Sequence, residues 1–300
     1  MNRTLTLVKR NAKLFLRDRA TVFFSFLSAA ILVVLYFLFI AKLYTAGMDS
    51  PDAGGIAMPL ETNMKNFIVY LQMMAGVLVL NSMSLSTGAF STIARDFENK
   101  RIDSFLLTPV KTHQMIASYF ATGLMVSFGI NSLMWVASFI IIGATTGYWL
   151  AVSAFFMVLG ILFIASLVSC SFMLLVTALV RSSAAIGVAN GVSGTFFGFL
   201  CGIYIPYSSL GEGTIAIGSC LPFTHLTIWL KQVVLNDAFL QAGIAGEAKD
   251  ILFKEHFSAS SVGFCTLPAP LWLMVGLSCL LGLICLVVSC VILGKRIDRT

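Results

Sequence analysis

Long apolar stretches separated by short polar ones dominate this 300-residue chain. Six of them are long enough to cross the hydrocarbon of a bilayer as helices, which takes about 20 residues. The pattern predicts spans at residues 21–43, 67–93, 115–142, 149–180, 184–205 and 271–293. A seventh apolar stretch, 215–240, is interrupted by Pro222, His225, Lys231 and Asp237. Its pieces are too short to cross singly, and proline ends a helix behind it. It reads as a re-entrant helical hairpin before the last span, within an outer segment 206–266. The fold class expected is therefore an all-α integral membrane protein.

Ahead of the first span, residues 1–20 read as an amphipathic interfacial helix. Leu5, Val8, Ala12, Phe15 and Leu16 share one arc, and Lys9, Arg10, Lys13 and Arg17 the next. A plain basic flank to the first span is the alternative. Arg3 to Arg19 supply six basic residues, and no small-residue cleavage site follows the apolar run, so a retained span is expected rather than a signal peptide.

Composition agrees with the hydropathy. Apolar residues form 58% of the chain and charged residues 11%, whereas soluble domains carry about 25% charged residues. The net charge of +6 gathers at span ends rather than in a nucleic-acid-binding patch. With six spans and both termini on one side, that side holds fourteen of the nineteen Lys and Arg residues, including the tail 294–300. The positive-inside bias makes it cytoplasmic and predicts a multi-pass protein of the cell membrane.

The fifth span carries Gly187, Gly191, Gly194, Gly198 and Gly202 within an arc of about 80°. Such a stripe predicts close helix–helix packing, within the chain or against a second copy. Five cysteines (Cys170, Cys201, Cys279, Cys285 and Cys290) sit in apolar runs and read as buried small residues. Cys220 and Cys265 share the outer segment, where a disulfide is feasible.

Candidate chemistry is sparse. The six runs contain no Asp, Glu or Arg, and Lys42 lies only at the end of the first, which disfavours an ion-coupled secondary transporter. His113, His225 and His256 are too scattered for a metal site, and no GxSxG or GxxxxGK[ST] motif occurs. No catalytic or metal-binding residue and no cofactor is expected on this chain. Asn81, Ser84, Asn131, Ser169 and Asn190 are polar positions within spans. They are candidates for a substrate path, against the plainer reading of interhelical hydrogen bonds.

The inner segment 94–114, ARDFENKRIDSFLLTPVKTHQ, differs from the other loops. Its charges of both signs alternate with Phe97, Ile102, Phe105 and Leu106, which reads as a short amphipathic helix ending at the Thr108–Pro109 stop. Apolar residues exposed on such a helix would suit docking to a soluble protein; a solvated loop is the alternative.

Taken together, the basic N-terminal helix, the six spans, this loop and the outer PFTH segment resemble the type-2 ABC export permeases. The loop pattern of that family (an acidic pair, Gly-Thr, Leu-Glu, Leu-Leu-x-Thr-Pro-Val) is matched by Asp96, Glu98, Ile102, Asp103, Leu106, Leu107, Thr108, Pro109 and Val110. Lys100 and Arg101 stand in place of Gly-Thr. The resemblance implies a permease dimer, with a second copy or a paralogue, bound to a separate ATP-binding subunit that holds ATP and magnesium. Asp96, Phe97, Glu98, Ile102, Asp103, Phe105, Leu106 and Pro109 would then form its ATPase-coupling loop, and Pro222, His225 and Lys231 would belong to the re-entrant hairpin. With 25 Phe and 13 Met, a greasy and adaptable path is expected. Export of drugs, antimicrobial peptides or lipid-like compounds, hence multidrug efflux and antibiotic resistance, is the expectation, with polysaccharide or lipid-linked glycan export the alternative.

Overall fold

A computed structural model describes residues 3–19, 21–23, 27, 60–102, 110–180, 182–205, 210–263 and 269–297. Helices α1 (Arg3–Arg17), α2 (Thr62–Glu98), α3 (Thr112–Thr146), α4 (Val152–Leu179) and α5 (Ser183–Leu200) come first. They are followed by α6 (Glu212–Ser219), α7 (Pro222–Ala242), the short α8 (Glu247–Ile251) with a π-helical turn Leu252–His256, and α9 (Leu271–Ile297). No strand occurs among the described residues. Helices α2, α3, α4, α5 and α9 are each long and apolar enough to cross a membrane. They are the second to sixth expected spans, and the protein is an all-α integral membrane protein. Most of the first expected span lies outside the described residues.

Helix α2 is the axis of the bundle. It packs against α3, α4, α5 and α7, and it is apolar on nearly every face because every face meets protein. Leu71, Leu78, Leu85 and Phe90 are completely enclosed. Gly123 of α3 makes room for Phe90: a Cβ there would lie 2.5 Å from the ring. The peripheral helices instead turn large apolar side chains outward, such as Leu133 of α3 at 71% exposure and Trp272 of α9 at 74%. Such a surface is soluble only in lipid.

Two expected boundaries shift. Helix α2 continues through Asp96, Phe97 and Glu98, which the sequence had placed in the loop 94–114, because these residues find partners that let charge continue the helix. Helix α5 stops at Leu200 rather than 205. Gly202 follows in a turn at φ 63°, and the chain folds back so that the amides of Ile203 and Tyr204 both donate to the Gly198 carbonyl at 3.2 Å.

The two ends of the bundle differ. One, here the basic end, gathers α1, the end of α2, the α4–α5 junction and the end of α9. At the opposite end, Tyr148 donates to Glu61 at 2.9 Å, the Ala151 amide donates to Asp237 at 2.9 Å, and Gln241 donates to the Trp149 carbonyl at 3.0 Å.

Candidate functional site

Three consecutive residues at the end of α2 each hold a different part of the basic end. Asp96 is completely buried. The Arg10 guanidinium grips it bidentately, at 2.8 and 2.9 Å, and the Tyr119 hydroxyl donates to it at 2.6 Å. Arg101 stands 3.7 Å away. A carboxylate is tolerated at such depth only with partners of this kind. Burial would lower the Arg10 pKa, but the hydrogen bond and charge of Asp96 outweigh it and hold the guanidinium above its ordinary value.

Phe97 is half-buried beneath the Arg296 guanidinium of α9, 4.1 Å from the ring centre; Arg296 also donates to the Val180 carbonyl at 3.2 Å. Glu98 accepts from the Ser183 amide at 2.8 Å and its hydroxyl at 2.9 Å. This places an anion at the N-terminus of α5, where the helix dipole favours it. Ser182 caps the same helix through the Ala185 amide at 3.2 Å.

Helix α1 packs here by only part of the expected arc. Val8, Asn11 and Phe15 are buried, whereas Leu5 and Leu16 are 65% and 63% exposed. Asn11 donates to Ser118 at 3.4 Å, and Thr122 donates to the Val8 carbonyl at 3.4 Å. The buried face keeps Val8 and Phe15 of the expected apolar arc and adds Asn11, leaving the arc's other edge, Leu5 and Leu16, exposed. Beyond α1, Asp18 pairs with Arg95 and accepts from the Thr21 amide and hydroxyl at 3.1 and 2.7 Å. Burial alone would raise the Asp18 pKa; the Thr21 and Arg95 bonds win and draw it down to about 2.

The expectation that Ile102 is exposed for docking is corrected: it is 1% exposed and belongs to the main apolar core. Lys100, which replaces glycine in the resembled pattern, adopts φ 54°, the left-handed region in which glycine sits without steric cost. Asp103, Phe105, Leu106 and Pro109 lie outside the described residues.

The glycine stripe divides. Gly187, Gly191 and Gly194 have open space where a Cβ would point, Gly198 is covered by the Tyr204 ring, and Gly202 lies beyond the helix. The single five-glycine seam is therefore corrected to three glycines facing outward, beside the exposed Val188, Val192 and Phe196.

The polar positions also divide. Asn81 donates to Asn131 at 2.8 Å, and Asn131 donates to Ser82 at 2.6 Å and to the Leu78 carbonyl at 3.1 Å. These two and Ser169 are fully buried between helices, so none lines a path in this conformation. Ser84 and Asn190 are half-buried and bonded at 3.2 Å, where α5 meets α2.

A bent helix pair stands where the re-entrant hairpin was expected. Helices α6 and α7 meet at a bend of 92°, with Pro222 at the first position of α7, where its missing N–H costs nothing. Across the bend, His225 Nε2 lies 2.8 Å from the Ser219 carbonyl and Thr224 donates to the Gly218 carbonyl at 2.6 Å. Lys231 is buried and donates to the Gly202 and Phe257 carbonyls, both at 2.9 Å. It thereby joins the turn after α5 to the end of the π-helical turn. Cys265 lies outside the described residues, so its pairing with Cys220 is not placed.

Sequence reasoning missed the partners of the α2 terminus: Arg10, Tyr119, Ser183 and Arg296. Arg10 and Arg296 had been read as topological charge, and no local pattern pairs residues 86 positions apart.

Membrane-length helices, a bent helix pair and a charged junction at one end make up a helical integral membrane protein. The family model described as ABC-2 type transporter matches residues 2–235, and the chain belongs to that family. It is thus a membrane permease subunit of the ABC type, of a family generally not catalytic in itself. A comparison with curated proteins gives no match.

Proposed function

We propose that this chain is the permease of an ATP-driven exporter, paired with a second permease copy or paralogue and with a separate ATP-binding subunit that carries ATP and magnesium. The basic end faces the cytoplasm of a cell membrane in this reading, with both termini on that side. The observation that carries it is the attachment of Asp96, Phe97 and Glu98 to α1, α9 and α5. A push on the segment that follows α2 would be passed to these helices together, as a coupling element requires.

Phe105, Leu106 and Pro109 would seat in the ATPase, while Asp96, Phe97, Glu98 and Ile102 hold that segment to the bundle; Asp103 lies between the two groups. The outward face of α5 with Gly187, Gly191 and Gly194 would meet the second permease, and Ser84 and Asn190 would lie beside the path. The cargo class proposed is a hydrophobic or amphipathic drug, antimicrobial peptide or lipid-like compound. The aromatic and methionine-rich composition supports it, since such surfaces adapt to varied apolar ligands.

The test is co-expression with a candidate ABC ATP-binding subunit, followed by reconstitution. Phe105→Asp and Leu106→Asp should abolish stimulated ATP hydrolysis and transport while leaving the permease folded. Normal coupling in both variants would overturn the assignment. Transport that continues without ATP and collapses with the proton gradient would identify a secondary carrier instead.

A further inference from the structure

Helix α1 has three kinds of surface. At 100° per residue, Asn11, Phe15 and Val8 fall within an arc of about 60°, and all three are buried against the bundle. Leu5 and Leu16 follow about 60–80° beyond Val8, and both are largely exposed. Lys9, Lys13 and Arg17 come next around the helix and are exposed as well.

The three cations are uncompensated. Elsewhere at the basic end Arg10 is engaged by Asp96, Arg95 by Asp18 and Arg296 by Phe97. Lys9, Lys13 and Arg17 make no ion pair among the described residues, and α1 contains no acidic residue. They are spaced four apart, so like charges are neighbours along the helix, an arrangement unfavourable in the protein alone.

The depth of α1 follows from α3. Asn11 bonds to Ser118, and Phe15 clusters with Val126. These α3 residues lie about 42 and 30 Å from Thr146 at the 1.5 Å rise of a helix. At that far end stand the exposed Trp149 and Trp272, where an aromatic belt marks a membrane face. A bilayer is about 30 Å thick in its hydrocarbon and about 40–45 Å with its headgroups. Helix α1 is thus at the headgroup level of the leaflet at the basic end.

Its rotation follows as well. Asn11 reaches Ser118, whereas the Val8 carbonyl meets Thr122, one turn of α3 nearer the midplane. Passing from Asn11 to Val8 and onward around the helix brings Leu5 and Leu16 towards the acyl chains. The cations come after them, and Arg10 last, on the side where α2 ends at Asp96. An apolar edge below and cations beside it match the boundary between acyl chains and phosphates.

We propose that this face of α1 docks on anionic phospholipid of that leaflet, of the phosphatidylglycerol kind. Lys9, Lys13 and Arg17 meet the headgroups, and Leu5 and Leu16 lie among the upper acyl chains. An acidic soluble protein would match the cations but not the two leucines beside them at this depth. The surface needs no ATPase and does not rest on the transport reading.

The test uses the full chain in phosphatidylcholine nanodiscs. The probe is a trace of phosphatidylglycerol with a diazirine near the start of one acyl chain, compared with phosphatidylcholine of the same design. Label on residues 5–17 should favour phosphatidylglycerol roughly tenfold at low salt, since each surface cation adds to the attraction. The ratio should approach one at about 1 M salt. Lys9→Gln with Lys13→Gln and Arg17→Gln should bring it to about one at low salt, with the thermal midpoint unmoved. If that variant does not fold, amine acylation of the unaltered protein decides the matter: nanodiscs rich in phosphatidylglycerol should protect Lys9 and Lys13 relative to phosphatidylcholine alone. Equal labelling by the two lipids, or an unchanged ratio in the triple variant, would overturn the proposal. Equal acylation in the two nanodiscs would also overturn it and leave the face to a soluble acidic partner. Loss of the preference on adding millimolar glycerol phosphate would make a free phosphate the ligand and overturn the lipid assignment.

Discussion

Arg10 and Asp96 are 86 residues apart in sequence, yet the guanidinium of one closes on the carboxylate of the other through two hydrogen bonds of 2.8 and 2.9 Å. The pair joins a helix that precedes the spans to the last turn of the central one. Removing Arg10 should leave the buried carboxylate with only Tyr119 and the more distant Arg101 as partners, a loss approaching the about 3–5 kcal/mol of a broken buried pair. Arg10→Met should therefore lower the thermal midpoint in detergent strongly. Arg10→Met with Asp96→Leu should recover much of the loss, because no charge is then stranded. A double variant no more stable than Arg10→Met would refute this account of the junction.

Lys100 holds φ 54° at the position where the resembled pattern has glycine. A side chain in the left-handed region costs about 1 kcal/mol. Lys100→Gly should accordingly stabilise the protein by roughly that amount, read from denaturant or thermal melts. A destabilised variant would show that Lys100 makes a contact outweighing the backbone strain.

The Asp18 carboxyl, with its pKa drawn down to about 2, gives a pH-dependent contribution of definite sign. Its unfolded value is near the ordinary ~3.9. The stability it adds is complete above that value and is lost as pH falls through about 2. The difference between the unaltered protein and Asp18→Asn should stay constant from neutral pH down to about 5 and shrink below about 4. A difference that grows on acidification would contradict the hydrogen-bond assignment.

Lys231 holds two turns together through the Gly202 and Phe257 carbonyls. Lys231→Met retains the bulk but strands both acceptors, each at a cost of about 1–3 kcal/mol if they stay buried. Hydrogen exchange should accelerate at residues 201–205 and 257–260 and remain unchanged at α2. Unaltered exchange in the two turns would show that Lys231 is not what fastens them.

Apolar run length, charge placement and proline position account for much of the architecture. The second to sixth spans appear as membrane-length helices, and Pro222 marks the bend, because bilayer thickness and backbone hydrogen bonding act on consecutive residues. The same reasoning misplaced the ends of α2 and α5. It gave Asp96 and Glu98 to a separate amphipathic helix in the segment 94–114, whereas they continue α2 because distant residues compensate them. It also carried α5 past Gly202, where the chain instead turns and Tyr204 covers Gly198.

The candidate site was legible only in part. The motif-like run from Asp96 to Pro109 drew attention to the right segment, but its residues divide between those bound into the bundle and those outside the described residues. The three glycines that remain on the open face of α5, and the burial of Asn81 and Asn131, follow from which helices become neighbours.

By itself the sequence determined that the chain lies in a membrane and where most of its helices run, since these properties depend on the summed transfer energy of contiguous residues. Only the tertiary structure decided that Arg10 serves Asp96, that Arg296 covers Phe97 and that Ile102 is core. Each of these is a pairing between distant parts of the chain, made by helix packing and invisible to any local pattern.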